Sequence, residues 1–244
     1  MKKLSWITGM VICLMLLFAA LGAVCGAVDQ MATDENFYGE TSRAAVAKYL
    51  GVQDDAQVSA YIGIDAQQQD AFAAQMASFM AGETDMQPDI LNADEQQHML
   101  DVRNLTQTAA GMSKTCMSLA AALAVVAAWT GAKLKRRLMP KLVGVLSAAT
   151  LIAVIAYSVI SQIAGGRFEA LFVKMHEMLF TNDLWLMNPD TDILIRMMPQ
   201  TLFEQALVSG ASHALKMLIV VLVMLAAVHG IVERMIRRHV AKGE

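Results

Sequence analysis

Thr115 to Ala132 reads TCMSLAAALAVVAAWTGA; a short loop, KLKRRLMPK, fills 133–141; LVGVLSAATLIAVIAYSVISQIA follows at 142–164. Neither apolar run contains Asp, Glu, Lys or Arg. Each is as long as a bilayer-crossing helix requires, about 18 residues or more. The loop between them holds five Lys and Arg: Lys133, Lys135, Arg136, Arg137 and Lys141. Two uncharged runs joined by a short basic connection describe a pair of membrane helices turning on the cytoplasmic side.

Outward from that hairpin, two more runs complete the pattern. Leu4 to Val28 follows Lys2 and Lys3 and ends at Asp29. The fourth run, 211–232, is clearest from Met217 to Val232 and is led in by small apolar residues from Ala206; Lys216 can carry its ammonium to the surface. Charged residues are 17% of the chain, below the roughly 25% of an ordinary soluble domain, and the mean hydropathy is +0.46. These features predict an all-α membrane protein: four transmembrane helices, at 4–28, 115–132, 142–164 and 211–232, with a small helical extracytoplasmic cap. Leu21-Gly22-Ala23-Val24-Cys25 resembles a lipoprotein cleavage site. The run around it is too long for a signal-peptide core of about 7–15 residues, and Val24 is bulky before a cleaved bond. An uncleaved anchor is the better reading.

Segments 1–3, 133–141 and 233–244 hold 11 of the 19 Lys and Arg, while 29–114 and 165–216 hold the other 8 along with 20 of the 22 acidic residues. Both termini and the 133–141 loop are therefore expected in the cytoplasm, with 29–114 as the extracytoplasmic cap and 165–210 as an extracytoplasmic interfacial segment. The acidic outer face lacks the basic footprint of a nucleic-acid binder. Cys13, Cys25 and Cys116 lie in or beside spans, so no disulfide framework is implied.

In the first outer segment, Phe72 to Met80 puts Phe72, Met76, Phe79 and Met80 on one helical face, and Gly82 to Asp89 reads as a turn. Asn92 with Glu95 signals the start of a helix carrying Met99, Val102, Leu105, Ala109 and Met112 in a stripe, continuing into the second span. In the second outer segment, Arg167 to Phe180 places Phe168, Leu171, Phe172, Met175 and Leu179 on one face of a helix suited to the interface. Asn188-Pro189-Asp190-Thr191-Asp192 is a turn, Thr201 with Glu204 forms a second capping signal, and Trp185 suits the membrane–water boundary.

The spans are almost bare of ionisable groups, which argues against a pump, an ion-coupled transporter or a permease. His176-Glu177 begins like a zinc-protease helix, yet Phe180 stands where the second histidine belongs, so no metal and no cofactor is called for. No serine elbow and no outward cysteine nucleophile is present. What remains are two outward histidines. His98 has Asp101 three residues on, on a neighbouring position of a helix, with Arg103 pointing elsewhere. His176 sits at the edge of its apolar face. Local sequence by itself favours the plainer alternatives: a solvated His98, and a His176 bonded to a backbone carbonyl. Asn182-Asp183, Asp190 and Asp192 can equally be turn and cap residues. His213 and His239 carry no signal.

At these same residues a family resemblance emerges. His98-Met99-Leu100-Asp101-Val102-Arg103 resembles the His-Met-x-Asp-Val-Lys/Arg motif of the Lit-type lipoprotein intramolecular transacylases. Phe172-x-x-x-His176, Phe180-Thr181-Asn182-Asp183-Leu184-Trp185-Leu186, Asn188 to Asp192 and Pro199 resemble the family's second block. Met178, Asn188 and Gln200 depart from a pattern that prefers an aromatic, Asp and Glu there. The resemblance implies transfer of the sn-2 acyl chain of a diacylglyceryl lipoprotein to the α-amine of its N-terminal cysteine, in a bacterial plasma membrane. It implies His98 and His176 as catalytic residues. Asp101, Arg103, Arg167, Asn182 and Asp183 become candidates to orient them or to stabilise an oxyanion. The expected partners are a diacylated lipoprotein and membrane lipid; the oligomeric state is left open. A non-catalytic lipid- or lipoprotein-binding protein of the same fold is the alternative.

Overall fold

The computed structural model describes residues 2–134, 155, 158–159, 168–210 and 212. The expected spans at 142–164 and 211–232, most of the basic loop, the tail at 233–244 and Arg167 lie outside the described residues, apart from those isolated positions. The described residues are helical, with no strand among them. By contact the chain divides into two compact units. One combines Ala19–Ser118 with Ile163–Leu207; the other combines Met1–Phe18, Leu119–Gln162 and Val208–Glu244.

Among the described residues, two helices are long and apolar enough to cross a membrane. The first, α1, runs Lys2–Ala32 and contains the expected Leu4–Val28 run. It presents Trp6, Met10, Leu14, Leu17, Leu21 and Val24 outward at spacings of three and four, an apolar row of the kind that lipid, not water, accommodates. The long helix, named α5 in chain order, runs Ala93–Leu134 without a break, so the outer helix does continue into the second span. At about 1.5 Å per residue it is about 63 Å long, roughly twice a bilayer core. A bilayer core needs only about half of it, and its first half carries Asp94, Glu95, Asp101 and Arg103.

Between them lie the π-helical turn Phe37–Thr41, then α2 (Ser42–Leu50), α3 (Asp55–Ile62) and α4 (Ala66–Ala81). The expected Phe72–Met80 helix starts six residues earlier, because Asp65 and Gln68 form a reciprocal capping box. It ends where Gly82 takes φ +79°, a conformation that favours glycine. Phe72, Met76, Phe79 and Met80 are all buried. They meet Val46, Val58 and Ile62 and, from the second outer segment, Ile193, Leu194, Met197 and Leu202. Residues 31–102 and 187–206 thus contribute to one core.

Residues 193–197 form α7, followed by a helix from residue 200, with α6 (Phe168–Leu179) preceding both. The Ser42 hydroxyl donates to the Met197 carbonyl, and the Thr201 hydroxyl donates to Ala45 O at 3.2 Å. Thr201 is therefore spent on a tertiary bond. The expected Thr201–Glu204 capping box is not formed, and Glu204 instead accepts from Gln200 at 3.2 Å.

Where α1 meets α5, glycines let the backbones approach. Ser113 donates to Gly22 O at 2.8 Å. A Cβ at Gly26 would stand 2.9 Å from Ser113 Oγ, whereas one at Gly9 would meet nothing within 4 Å. Gly26→Ala is expected to lower stability by about 1–3 kcal/mol, the usual cost of overpacking. Gly9→Ala is expected to be neutral or slightly stabilising, since Ala is the better helix former. Thermal unfolding of both variants in detergent checks this; equal midpoints would mean the helices part without cost.

Candidate active site

The site begins at the start of α5. Asn92 Oδ1 accepts from the backbone N–H groups of Asp94 and Glu95 at 2.9 and 3.0 Å, and Glu95 Oε2 accepts from Asn92 N at 2.8 Å. This is the capping box that the sequence announces. The box also reaches across the fold. Glu95 Oε1 accepts from Leu194 N at 2.7 Å, and Asn92 Nδ2 donates to Asp192 Oδ1 at 3.0 Å. Glu95 is 2% exposed, so this carboxylate fixes the 188–194 turn against the helix end from inside the core. One turn further along α5, His98 is turned inward and is 6% exposed.

The second histidine comes from α6. The sequence places Phe168, Leu171, Phe172, Met175 and Leu179 on one apolar face of a helix suited to the interface, with His176 at its edge. The structure divides that face. Phe168 and His176 are buried and Phe172 half-buried, one per turn, while Leu171, Met175 and Leu179 are exposed together with Val173 and Met178. His176 is therefore in the inward stripe, 8% exposed. Its ring centre lies 4.2 Å from Phe172, 5.6 Å from Phe180 and 5.2 Å from Trp185. Phe180 also lies 5.0 Å from the His98 ring. Inside this aromatic surround, His98 and His176 stand 6.2 Å apart with their planes 27° from parallel.

Burial keeps both rings neutral. It pushes His98 down to about 4, with His176 adding to the effect and the Asp101 carboxylate opposing it. Burial also lowers His176, against the pull of its bond to the Phe172 carbonyl. That bond joins Nδ1 to Phe172 O at 2.7 Å. A carbonyl can only accept, so Nδ1 carries the hydrogen and Nε2 keeps its lone pair. His98 Nδ1 is buried with no protein partner. Each ring thus rests neutral, with a nitrogen lone pair that can accept a proton.

The other candidates separate. Asp101 lies beside the histidines, but its oxygens accept from Gln97 Nε2 at 3.1 Å and Asn182 Nδ2 at 2.9 Å. It reaches His98 by charge and not by a hydrogen bond. Asn182 also accepts from Leu184 N at 3.2 Å, so it brackets the loop after α6 to α5. Asp101 and Asn182 line an open pocket of about 340 Å³. Arg103 is not brought to the histidines: it pairs with Asp85 at 3.0 Å and stacks 4.6 Å over Phe79. Asp183 is exposed, and its carbonyl closes a turn with Leu186 N. Phe180, Trp185 and Glu95 complete the surround and its brace, roles that sequence reading did not assign. For Glu95 the signal was the capping spacing; for Phe180 and Trp185 it was their distance along the chain from His176.

The family model for Lit, lipoprotein intramolecular transacylase, matches residues 10–203. The chain belongs to this family. Lit proteins are membrane-integral acyltransferases, and the two long apolar helices accord with that setting. Three solved structures of Lit from Bacillus cereus share the fold. The first has a TM-score of 0.65 at 15% identity, covering 95% of this chain and 100% of that one. A histidine-to-alanine form scores 0.64 at 14% identity, covering 92% and 96%. A histidine-to-arginine form scores 0.60 at 14% identity, covering 94% and 95%. No curated protein matches the chain.

Neutral burial of His98 sets a pH dependence. An unfolded chain takes up this proton near about 6.5, the folded protein only near about 4. Between those values the unfolded chain binds the extra proton, so the contribution is complete above about pH 6.5 and is lost as the pH falls toward about 4. Unfolding midpoints measured across that range should fall more steeply for the wild type than for His98→Gln. Parallel curves would show that His98 is not held neutral.

Proposed function

We propose that this Lit-family protein moves the sn-2 acyl chain of a diacylglyceryl lipoprotein to the α-amine of the same molecule's N-terminal cysteine, with His98 and His176 handling the proton. The observation that carries the reading is the pair of inward histidines, 78 positions apart in the chain and 6.2 Å apart in space. The amine attacks the ester carbonyl carbon, the bond to the glycerol oxygen breaks, and an amide forms. One proton leaves nitrogen and one arrives on oxygen, so the balance needs no water and no cofactor. Amine and ester are tethered already, and holding them in an attacking geometry removes much of the barrier. A protein nucleophile is unnecessary. Neutral imidazole is suited to collect the first proton and, once charged, to deliver it to the leaving oxygen. The exposed apolar residues Leu171, Met175, Met178 and Leu179 of α6 offer a surface for acyl chains next to the rings.

In this reading His98→Ala and His176→Ala each lose on the order of 10²–10⁴ in rate while still inserting and folding. His239→Ala, in the basic tail, serves as a control and retains activity. Mass spectrometry of lipoprotein N-termini, in a host without lyso-form synthesis, reads the outcome. Wild-type transfer by both alanine variants would remove the histidines from the mechanism. Absence of transfer by the wild type on any diacylated lipoprotein would favour a lipid- or lipoprotein-binding role.

The reading also places the cap and α6 outside a bacterial plasma membrane crossed by four spans, with both ends in the cytoplasm. The support is the Lys and Arg asymmetry. In a variant lacking Cys13, Cys25 and Cys116, Ala60→Cys should label in intact cells and Arg136→Cys only after permeabilisation. Labelling at 136 in intact cells would invert the topology.

A further inference from the structure

Asp101 is a carboxylate beside the site that is held by neutral groups and lines a pocket. The described ion pairs are Arg43 with Asp70, Arg103 with Asp85 and Lys174 with Glu177; Asp101 has no cation among the described residues. Its two hydrogen bonds come from the neutral amides of Gln97 and Asn182. These hold the carboxylate in place without neutralising it. It faces the open pocket of about 340 Å³, with Asn104 and Thr108 from the next turns of α5 on one side and Leu179, Phe180 and Asn182 on the other. Phe180 belongs both to this pocket and to the ring surround of His98 and His176, so its ring forms the wall between the two, and neither histidine lines the pocket. A fixed, half-buried carboxylate at the wall of a pocket, with unused acceptor capacity, is a site for a small cation bearing N–H groups.

We infer that this pocket is the subsite for the substrate's α-amine, with Asp101 as the residue that binds it. The inference rests on the proposed acyl transfer for the identity of the ligand. It adds where the nucleophile sits and what distinguishes it from the rest of the lipid. The α-amine is the one cationic group common to diacylglyceryl-cysteinyl chains whatever their sequence, so a single carboxylate recognises every such substrate. Asp101 also acts during attack. Bound as the ammonium, the amine first gives one proton through a histidine to solvent; the neutral nitrogen then bonds to the ester carbonyl carbon and acquires positive charge, which the carboxylate stabilises until a histidine takes the second proton and passes it to the leaving glycerol oxygen. Asn182 and Gln97 are positioning residues in this arrangement, because they hold Asp101 and do not need to touch the ligand.

The test is binding, so it reads independently of turnover. Three synthetic S-diacylglyceryl-cysteinyl peptides are titrated against the purified full-length protein in detergent: one with a free amine, one N-methylated, one N-formylated. The methyl compound keeps the charge and adds bulk; the formyl compound has similar bulk and no charge. The free and methylated peptides should bind alike, and the formylated one more weakly by on the order of tenfold, the loss of one charge-assisted contact. Asp101→Asn keeps an acceptor for Asn182 and should erase that difference; Gln97→Ala keeps the carboxylate and should preserve it. Equal binding of the methylated and formylated peptides to the wild type overturns the inference, whether or not Asp101→Asn folds. Discrimination that survives in Asp101→Asn overturns it too. Discrimination without any acyl transfer would leave the amine subsite standing and remove the catalytic reading. Acyl transfer without discrimination would do the reverse.

Discussion

Glu95 is the point on which the site depends. A carboxylate 2% exposed costs several kcal/mol to remove from water unless its oxygens are occupied. Here one oxygen closes the cap of α5 through Asn92 N, and the other accepts Leu194 N from a segment 99 residues away. The two demands reinforce each other. The α5 end needs an acceptor for its first N–H groups, and the start of α7 needs one for Leu194. One side chain serves both, and the helix end that carries His98 is thereby fixed to the segment that follows His176. Removing the carboxyl would leave a backbone donor without its partner at the join, and buried donors left that way cost about 1–3 kcal/mol.

The histidines owe their state to the same packing. Among the described neighbours, Phe172, Phe180 and Trp185 surround the pair, and Asp101 is the charge that acts on His98. Burial disfavours a charged ring, and Asp101 offsets only part of that. Both rings are therefore proton acceptors at rest. The proposed exchange between amine and alcohol oxygen would use that state, since each proton must be taken up before it is returned. The Phe172 carbonyl settles which nitrogen of His176 remains free, so a backbone group, not a side chain, fixes that tautomer.

Much of this was legible in the sequence, and the parts that were not have physical reasons. The long apolar runs of α1 and α5, the Phe72–Met76–Phe79–Met80 face and the Asn92–Glu95 cap are local signals, and local signals survive. The short helices α2 and α3 leave little trace, because eight or nine residues with few apolar side chains carry almost no periodicity. Thr201 carried a capping spacing that tertiary structure used otherwise, for Ala45 O. Arg103 and Asp101 sit two positions apart, and only folding shows that one is neutralised by Asp85 and the other by nothing charged among the described residues. The pairing of the histidines was implied by family resemblance and not by any spacing.

The division of α6 shows why periodicity put His176 at the edge of the apolar face and not in its inward stripe, although its bond to a backbone carbonyl was among the readings the sequence offered. In a soluble protein an apolar face has one destination, the core, so a stripe of Phe, Leu and Met names the buried side. A helix beside lipid has two destinations for apolar side chains, and both accept Leu and Met. The hydrophobic pattern then spans an arc wider than the buried stripe, and its centre falls between the two. Aromatic residues break the tie: Phe168 and Phe172 recur every four positions, and the next positions in the series are His176 and Phe180. A histidine inside an aromatic row at helical spacing is a core histidine, while one inside an aliphatic row is not so marked. The inward stripe of α6 and the residue after it can be read as Phe-Phe-His-Phe, which puts the polar ring where rings pack and leaves the aliphatic side chains exposed.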